Sequence, residues 1–154
     1  MASFVDWWFV HELAMNGEPN HPKSSYMNKD RLGKLKAGPV WDFDWETFVP
    51  RKAKSFTIKD AIYYARLFSD PAFVAVVKER WAAQKPMFDG ISDYIRSVAS
   101  KIEVSNEIDA EIWPYPASQT VNGDEQMSFD DAVERIISAY ETKLAWLDTQ
   151  INGM

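Results

Sequence analysis

Apolar side chains occupy almost every position between residues 4 and 15, where Asp6, His11 and Glu12 are the polar exceptions. A helix that is apolar on all sides is a buried helix, so this pattern predicts one over residues 4–16. A loop over residues 17–24 follows, because two prolines and a glycine cannot continue the helix. Residues 25–29 and 34–41 then read as two strands around a turn at residues 30–33, which predicts a β-hairpin.

Helical spacing dominates the rest of the chain, apart from loops predicted over residues 42–56 and 113–126. We expect Pro86 to end the helix that it lies in, because proline breaks a helix interior. Capping residues and apolar periodicity place the helix starts, which are Thr57, Asp70 followed by Pro71, Ile91 and Ser128. The predicted fold class is α+β, mainly α: an N-terminal buried helix, one β-hairpin and then four to five helices, in a single domain over residues 1–154.

Composition narrows the functional classes. Of the 154 residues, 46% are hydrophobic and the formal net charge is −6, which argues against a broad electrostatic surface for nucleic acid. There is no cysteine, so disulfides and thiol chemistry are excluded. No apolar run approaches the length of a membrane span, and no signal peptide is visible.

The stretch from Gly38 to Asp44 carries the first candidate chemistry, because Asp42 and Asp44 flank Phe43 at the end of an apolar run. Strand alternation would place both carboxylates on one face and Phe43 on the other. Carboxylate oxygens suit a divalent cation such as Mg²⁺, so a metal site is one interpretation. The other is a polar turn in which the two acids accept backbone N–H bonds.

The loop from Glu18 to Ser24 gathers an acid, an amide, a histidine, a lysine and a hydroxyl within seven residues. Such a loop can present a general base and a cation that contacts phosphate; the alternative is a solvated connection stiffened by proline. His11 and Glu12 we interpret as a satisfied core histidine and a buried structural carboxylate. With only two histidines, the usual zinc ligand sets are improbable.

Other residue groups have plainer interpretations. Most tryptophans lie at core spacing, although Trp45, Trp113 and Tyr115 could form a platform for a sugar. The basic cluster of Arg51, Lys52 and Lys54 reads as a solvated edge, with phosphate binding as the alternative. Neither a P-loop nor a G-x-G-x-x-G motif occurs anywhere in the chain.

Five motifs follow one another along the first part of the chain: Glu12-Leu13, Asn16-Gly17-Glu18, Pro22-Lys23-Ser24-Ser25-Tyr26-Met27, Gly33-Lys34-Leu35 and the run from Gly38 to Asp44. Together they resemble the CotH kinase family, and most of all its surface-protein branch in Bacteroides-type bacteria. The similarity is specific over residues 4–45 and weaker to about residue 150.

The resemblance implies the C-lobe of an atypical protein-kinase-like fold that uses ATP with Mg²⁺ or Mn²⁺ on a protein substrate. Asp42, with Asp44, would bind the metal, Glu18 would take the place of the catalytic-loop acid, and Lys23 would contact the transferred phosphate. Ser24 stands where family members often have asparagine, and Glu18 is longer than the usual aspartate by one methylene. The resemblance also implies an exported or cell-surface parent protein.

The chain shows neither the Gly-rich loop nor the strand lysine of an ATP-binding lobe. We therefore expect it to be the C-terminal part of a CotH-like kinase domain and weak or inactive as a free chain. A missing lobe would leave an apolar face of helix 4–16 exposed, which could drive homodimerisation. The hypothesis from a different class is a non-catalytic cell-surface binding or interaction module.

Overall fold

The computed structural model describes residues 1–21, 25–44, 46–114 and 127–154. Short 3-10 helices form at Glu18–Asn20 and Pro50–Lys52, and none of the helices described is long and apolar enough to cross a bilayer. The predicted class, α+β and mainly α, is confirmed. The main elements are α1 (Ala2–Leu13), β1 (Met27–Asn28), β2 (Lys36–Ala37), α2 (Tyr64–Phe68), α3 (Pro71–Asp89), α4 (Ile91–Ile112) and α5 (Phe129–Asn152).

Helix α1 lies at the centre of the fold and contacts α3, α5 and strand β2. Val5, Trp8 and Phe9 are fully buried, as expected for a helix that is apolar on all sides. Among its large apolar side chains only Val10 is exposed. The exposed apolar face expected to drive homodimerisation is therefore absent from α1, because α3 and α5 already cover it.

Polar contacts fix α1 against its neighbours at two levels. Near its start, Asp6 accepts two hydrogen bonds of 2.7 Å from the guanidinium of Arg80 on α3 and one of 3.1 Å from Gln84. Near its end, Glu12 and Lys143 of α5 form an ion pair of 2.9 Å, with both side chains fully buried. Charged groups out of water are costly unless they are paired, so this pair fixes the approach of α1 and α5.

Glu12 also organises the chain before α2. Its carboxylate accepts hydrogen bonds from the backbone N–H of Thr57 (2.9 Å) and of Ile58 (2.8 Å), while Lys143 donates to the carbonyl of Ser55 at 2.5 Å. Burial lowers the pKa of Lys143, and the carboxylate of Glu12 opposes that shift. The interpretation of Glu12 as a buried structural carboxylate fits these contacts.

Two predicted helix boundaries are wrong. Thr57 does not begin a helix: its N–H and that of Ile58 bind the carboxylate of Glu12, turns follow, Ile62 has a left-handed backbone (φ 49°), and α2 starts only at Tyr64. Pro86 lies inside α3, which continues to Asp89 because Phe88 is buried and its carbonyl accepts from the Tyr140 hydroxyl at 2.8 Å. Helix α4 ends at Ile112, directly before the loop predicted to start at residue 113.

The hairpin has fewer paired residues than predicted. Met27 pairs with Ala37 and Asn28 with Lys36, in antiparallel register, where the sequence suggested strands over residues 25–29 and 34–41. Pairing ends at Gly38, whose backbone (φ 128°) lies in a region that L side chains rarely adopt. The caps predicted for the later helices are present: Asp70 accepts from the N–H of Ala72 and Ser128 from that of Asp131.

Breaking the buried ion pair should destabilise the protein strongly. We expect Glu12→Gln and Lys143→Met each to lower the free energy of unfolding by about 3–5 kcal/mol, because each leaves one buried charge without its partner. The double variant should lose less than the sum of the two, since no orphaned charge remains. Urea denaturation of the four proteins measures this coupling.

The control is Glu134→Gln, which breaks the exposed pair of Glu134 with Arg96 (3.1 Å). It should change stability by at most about 1 kcal/mol, because solvent screens exposed pairs. Strictly additive losses from Glu12→Gln and Lys143→Met would show that the two buried charges do not support each other.

Candidate acidic site beside the first helix

The chain that carries the two aspartates runs along one face of α1. Ser3, Trp7 and His11 lie four residues apart and therefore share that face. The hydroxyl of Ser3 accepts from the N–H of Ala37 at 3.3 Å, and Trp7 Nε1 donates to the carbonyl of Pro39 at 3.1 Å. The ring of His11 stacks on Phe43, with the centroids 5.1 Å apart. These contacts hold residues 37–43 along α1 and place Phe43 near its C-terminal end.

Asn16 joins the two acidic segments at that end. Its side chain is fully buried, and its Nδ2 donates to the carbonyl of Asp42 at 2.7 Å. Its Oδ1 accepts from the backbone N–H of Glu18 at 2.8 Å. Because both ends of the amide are engaged, Asn16 fixes the backbones of Glu18 and Asp42 relative to each other. Asn16 belongs to the motif Asn16-Gly17-Glu18, but the motif alone does not indicate this bridging role.

Asp42 and Asp44 are both exposed. The hydrogen bond with Asp44 raises the pKa of Asp42, and desolvation, the charge of Asp44 and the charge of Glu18 raise it further. Three carboxyl groups therefore act on one another electrostatically. Such a cluster favours a bound cation, because a positive charge removes the repulsion between the acids.

The two aspartates come together by a different route from the predicted one. Residues 42–44 lie beyond the hairpin strands, and Asp42 has a left-handed backbone (φ 66°). That turn, and not strand alternation, places the carboxyls of Asp42 and Asp44 together while Phe43 points toward His11. A left-handed conformation is uncommon for a residue other than glycine, and Asp and Asn tolerate it best.

Glu18 begins the 3-10 helix Glu18–Asn20, and its side chain is 16% exposed, 3.7 Å from Nδ1 of His21. Among the residues described, no three His, Cys, Asp or Glu side chains are close enough to hold one metal ion together. Glu18 thus acts on Asp42 through charge without joining it as a third ligand. The other predicted site residues of this loop, Lys23 and Ser24, lie outside the described residues.

His11 is buried, as expected of a core histidine, with 2% of its surface exposed. Among the described residues, however, neither ring nitrogen has a hydrogen-bond partner. Its ring lies between Trp7, with centroids 4.1 Å apart, and Phe43. Burial lowers its pKa from 6.5 to about 4. The His11 ring is therefore neutral, and it packs against Phe43, the residue between Asp42 and Asp44.

The basic cluster is only partly a solvated edge. The carboxylate of Glu46 forms ion pairs with Arg51 at 2.5 Å and with Lys52 at 2.7 Å. These cations lower the pKa of Glu46, and the hydrogen bond from Lys52 is the largest cause. Lys54 is exposed. Of the suggested sugar platform, Trp113 is 73% exposed, while Trp45 and Tyr115 lie outside the described residues.

Comparison with known proteins identifies the class. The family model described as CotH kinase protein matches residues 1–147, which is nearly the whole chain. The chain belongs to the CotH kinase family, as its motifs indicated, and a kinase-like function follows at the level of that family. No curated protein and no solved structure matches the chain significantly.

The buried position of His11 predicts a specific loss of stability in acid. Its pKa is about 4 in the folded chain and about 6.5 when unfolded, so the unfolded state binds the extra proton between these values. Stability should therefore fall as the pH drops from 6.5 to 4, by up to roughly 3 kcal/mol from this group. The measurement is urea denaturation across this pH range for wild type and His11→Phe.

Phenylalanine keeps an aromatic ring between Trp7 and Phe43 but cannot titrate. The difference in unfolding free energy between wild type and His11→Phe should consequently shrink or reverse in favour of the variant as the pH falls. Stability curves that stay parallel from pH 7 to pH 4 would contradict the assignment of a neutral, buried His11.

Proposed function

We propose that this chain supplies the metal-binding and catalytic-loop half of an ATP-dependent protein kinase of the CotH family. Its activity would be transfer of the γ-phosphoryl group of ATP, with Mg²⁺ or Mn²⁺, to a hydroxyl of a protein substrate. The observation that carries the proposal is the Asn16 bridge. One buried amide holds the backbone of Glu18 and that of Asp42 at fixed positions, as a site that must position an acceptor and a metal requires.

The donor set fits a divalent cation. Asp42 and Asp44 offer carboxylate oxygens, the ligands that Mg²⁺ prefers, and their mutual repulsion is what a cation would relieve. Mg²⁺ keeps several waters when bound, so two exposed carboxylates are a sufficient protein contribution. Asn16 is not available as a ligand, because its amide is already bonded at both ends. When bound, the cation neutralises charge on the nucleotide phosphates.

Glu18 and Lys23 would handle the acceptor and the phosphate. Glu18 is partly buried at the start of its 3-10 helix, and we assign it the task of orienting the acceptor hydroxyl and taking its proton. Lys23 would hold phosphate charge by a charge-assisted hydrogen bond, and Ser24 would assist it. Phosphoryl transfer depends mostly on positioning and electrostatics, so these residues would act by holding the reacting groups in place and by balancing charge.

In this proposal, a separate lobe binds the ATP phosphates. This sequence contains no Gly-rich phosphate loop, and kinases use such a loop, with a strand lysine, to hold the ATP phosphates. We assign residues 1–154 to the C-terminal, helical part of the kinase domain. We expect full activity only together with an ATP-binding lobe, and weak or no activity from this chain by itself.

The first test is thermal and urea unfolding with Mg²⁺ or Mn²⁺, with and without ATP, for wild type and Asp42→Asn. Ligand at 100 times its dissociation constant should stabilise the wild type by about 2.7 kcal/mol. Asp42→Asn should lose this gain. It should fold normally by itself, because asparagine also tolerates the left-handed backbone at this position.

The matched control is Asp93→Asn, an exposed acid on α4, which packs mainly on α3 and α5; it should keep the full ligand-dependent gain. Equal stabilisation of the wild type and Asp42→Asn would place any bound cation elsewhere. If neither ion, with or without ATP, shifts wild-type unfolding, the metal–nucleotide proposal fails and the non-catalytic interaction module takes its place.

A further inference from the structure

The C-terminal half of α4 carries an apolar row that the described residues do not cover. Val104, Ile108 and Ile112 follow one another at intervals of four and so lie along one line of the helix. Their side chains are 65%, 52% and 61% exposed. The contacts of α4 are with α5 and α3, and they involve a different side of the helix. Three aligned, exposed β-branched residues are not needed to form a helix, since such residues have lower helix propensity than alanine.

An acidic row runs beside the apolar one. Glu103, Glu107 and Glu111 precede the three apolar residues by one position each, so they form a second, parallel line along α4. Glu103 lies at the edge toward α5, where it lines a cavity with Arg96 and Phe129. All three are exposed. We call the two rows together the α4 face; it is defined by residues 103, 104, 107, 108, 111 and 112.

The acidic row weakens the helix that carries it. Like charges four residues apart repel each other, and the last turn of α4 has no basic residue to complement the negative end of the helix. The ion pairs among the described residues include none of the three glutamates. The local sequence thus has an electrostatic cost with no compensation inside the described fold.

From this combination we propose that the α4 face binds a cationic amphipathic helix of a partner protein. Apolar residues of the partner would cover Val104, Ile108 and Ile112, while a neighbouring row of lysines or arginines would pair with the glutamates. This is the helix-on-helix mode of recognition, in which apolar anchors give affinity and flanking charges select partner and orientation. Positive charge near the end of α4 also complements the helix dipole.

A second copy of the chain fits this face poorly. Two copies that paired through it would each bring a row of glutamates to the interface, and each chain already carries a net charge of −6. Like-charge juxtaposition across an interface suppresses association. The chemistry of the α4 face therefore selects a basic partner.

The size of the face indicates a transient complex. From residue 103 to residue 112 the helix rises only about 14 Å at 1.5 Å per residue, which is between two and three turns. An interface of this length is at the small end of specific protein contacts. We accordingly expect modest affinity with a strong dependence on salt, because the charges are exposed.

The test uses the whole chain and a fluorescein-labelled synthetic helix that has leucines four residues apart beside a row of lysines. Fluorescence anisotropy should show binding that weakens as salt is raised. The same peptide with glutamates in place of the lysines should not bind. The triple variant Glu103→Lys/Glu107→Lys/Glu111→Lys should bind the cationic peptide roughly tenfold more weakly or worse, and should now accept the anionic one.

Two controls separate the face from general charge attraction. Asp60→Lys/Glu79→Lys/Glu141→Lys makes the same change in net charge at exposed positions elsewhere and should leave most of the binding intact. Ile108→Ser should weaken binding, whereas Met87→Ser, at a residue that is 60% exposed on α3, should not. Thermal unfolding checks that the variants remain folded.

Equal loss of binding in the two triple variants would overturn the proposal, because the attraction would then depend only on net charge. Failure of the wild type to distinguish the cationic from the anionic peptide would also overturn it. Reversible dimerisation that Ile108→Ser abolishes, without peptide binding, would assign the face to a second copy instead. None of these measurements contains nucleotide or metal, so they succeed or fail independently of the proposed kinase activity.

Discussion

The buried ion pair between Glu12 and Lys143 is the contact on which the remaining structure depends. It joins the end of the central helix to the last helix, and through Thr57, Ile58 and Ser55 it also fixes the segment between them. Burying two charges is expensive, and their attraction compensates only when geometry is good and further hydrogen bonds satisfy both groups. A pair of this kind contributes more to choosing one arrangement of the helices than to net stability. Asn16, which bridges the two acidic segments, follows Glu12 by only four residues. The arrangement of the helices therefore also decides where the acidic site lies.

Helix α1 acts as a template for the site. Ser3, Trp7 and His11 fix the strand exit and the Asp42–Asp44 segment along one face of the helix, and Asn16 closes the end. Each contact joins residues that are far apart in sequence; three are hydrogen bonds between a side chain and the backbone, and the fourth is the stacking of His11 on Phe43. The carboxylates can therefore remain exposed, where ligands reach them, while the backbone below them is held by buried groups. Because the carboxylates stay in water and only the backbone contacts are buried, acidic residues can lie close together without placing charge in the hydrophobic core.

The sequence predicted those features that depend on local chemistry. Apolar residues on all sides of α1 predicted its burial, and Asp70 and Ser128 predicted helix starts, because side-chain caps act within a few residues. Boundaries set by the surrounding structure were missed: the left-handed backbone of Ile62 delays the start of α2 to Tyr64, and the burial of Phe88 carries α3 past Pro86. At the site, the motif identified Glu18, Asp42 and Asp44 as candidates. It could not give the roles of Asn16 and His11, because these depend on partners 26 and 32 residues away.

The bridge formed by Asn16 also has a consequence for the chemical ageing of the protein. Asn16 is followed by Gly17, and asparagine is a thermolabile residue that loses its amide most readily when the next residue is glycine. In the folded chain the two hydrogen bonds and full burial hold that amide away from water. Whenever the segment opens, deamidation to aspartate would replace the donor that faces the carbonyl of Asp42 with an acceptor and add a negative charge beside Glu18. The useful lifetime of the site is then set by how rarely this one loop opens, and not by the stability of the helical core.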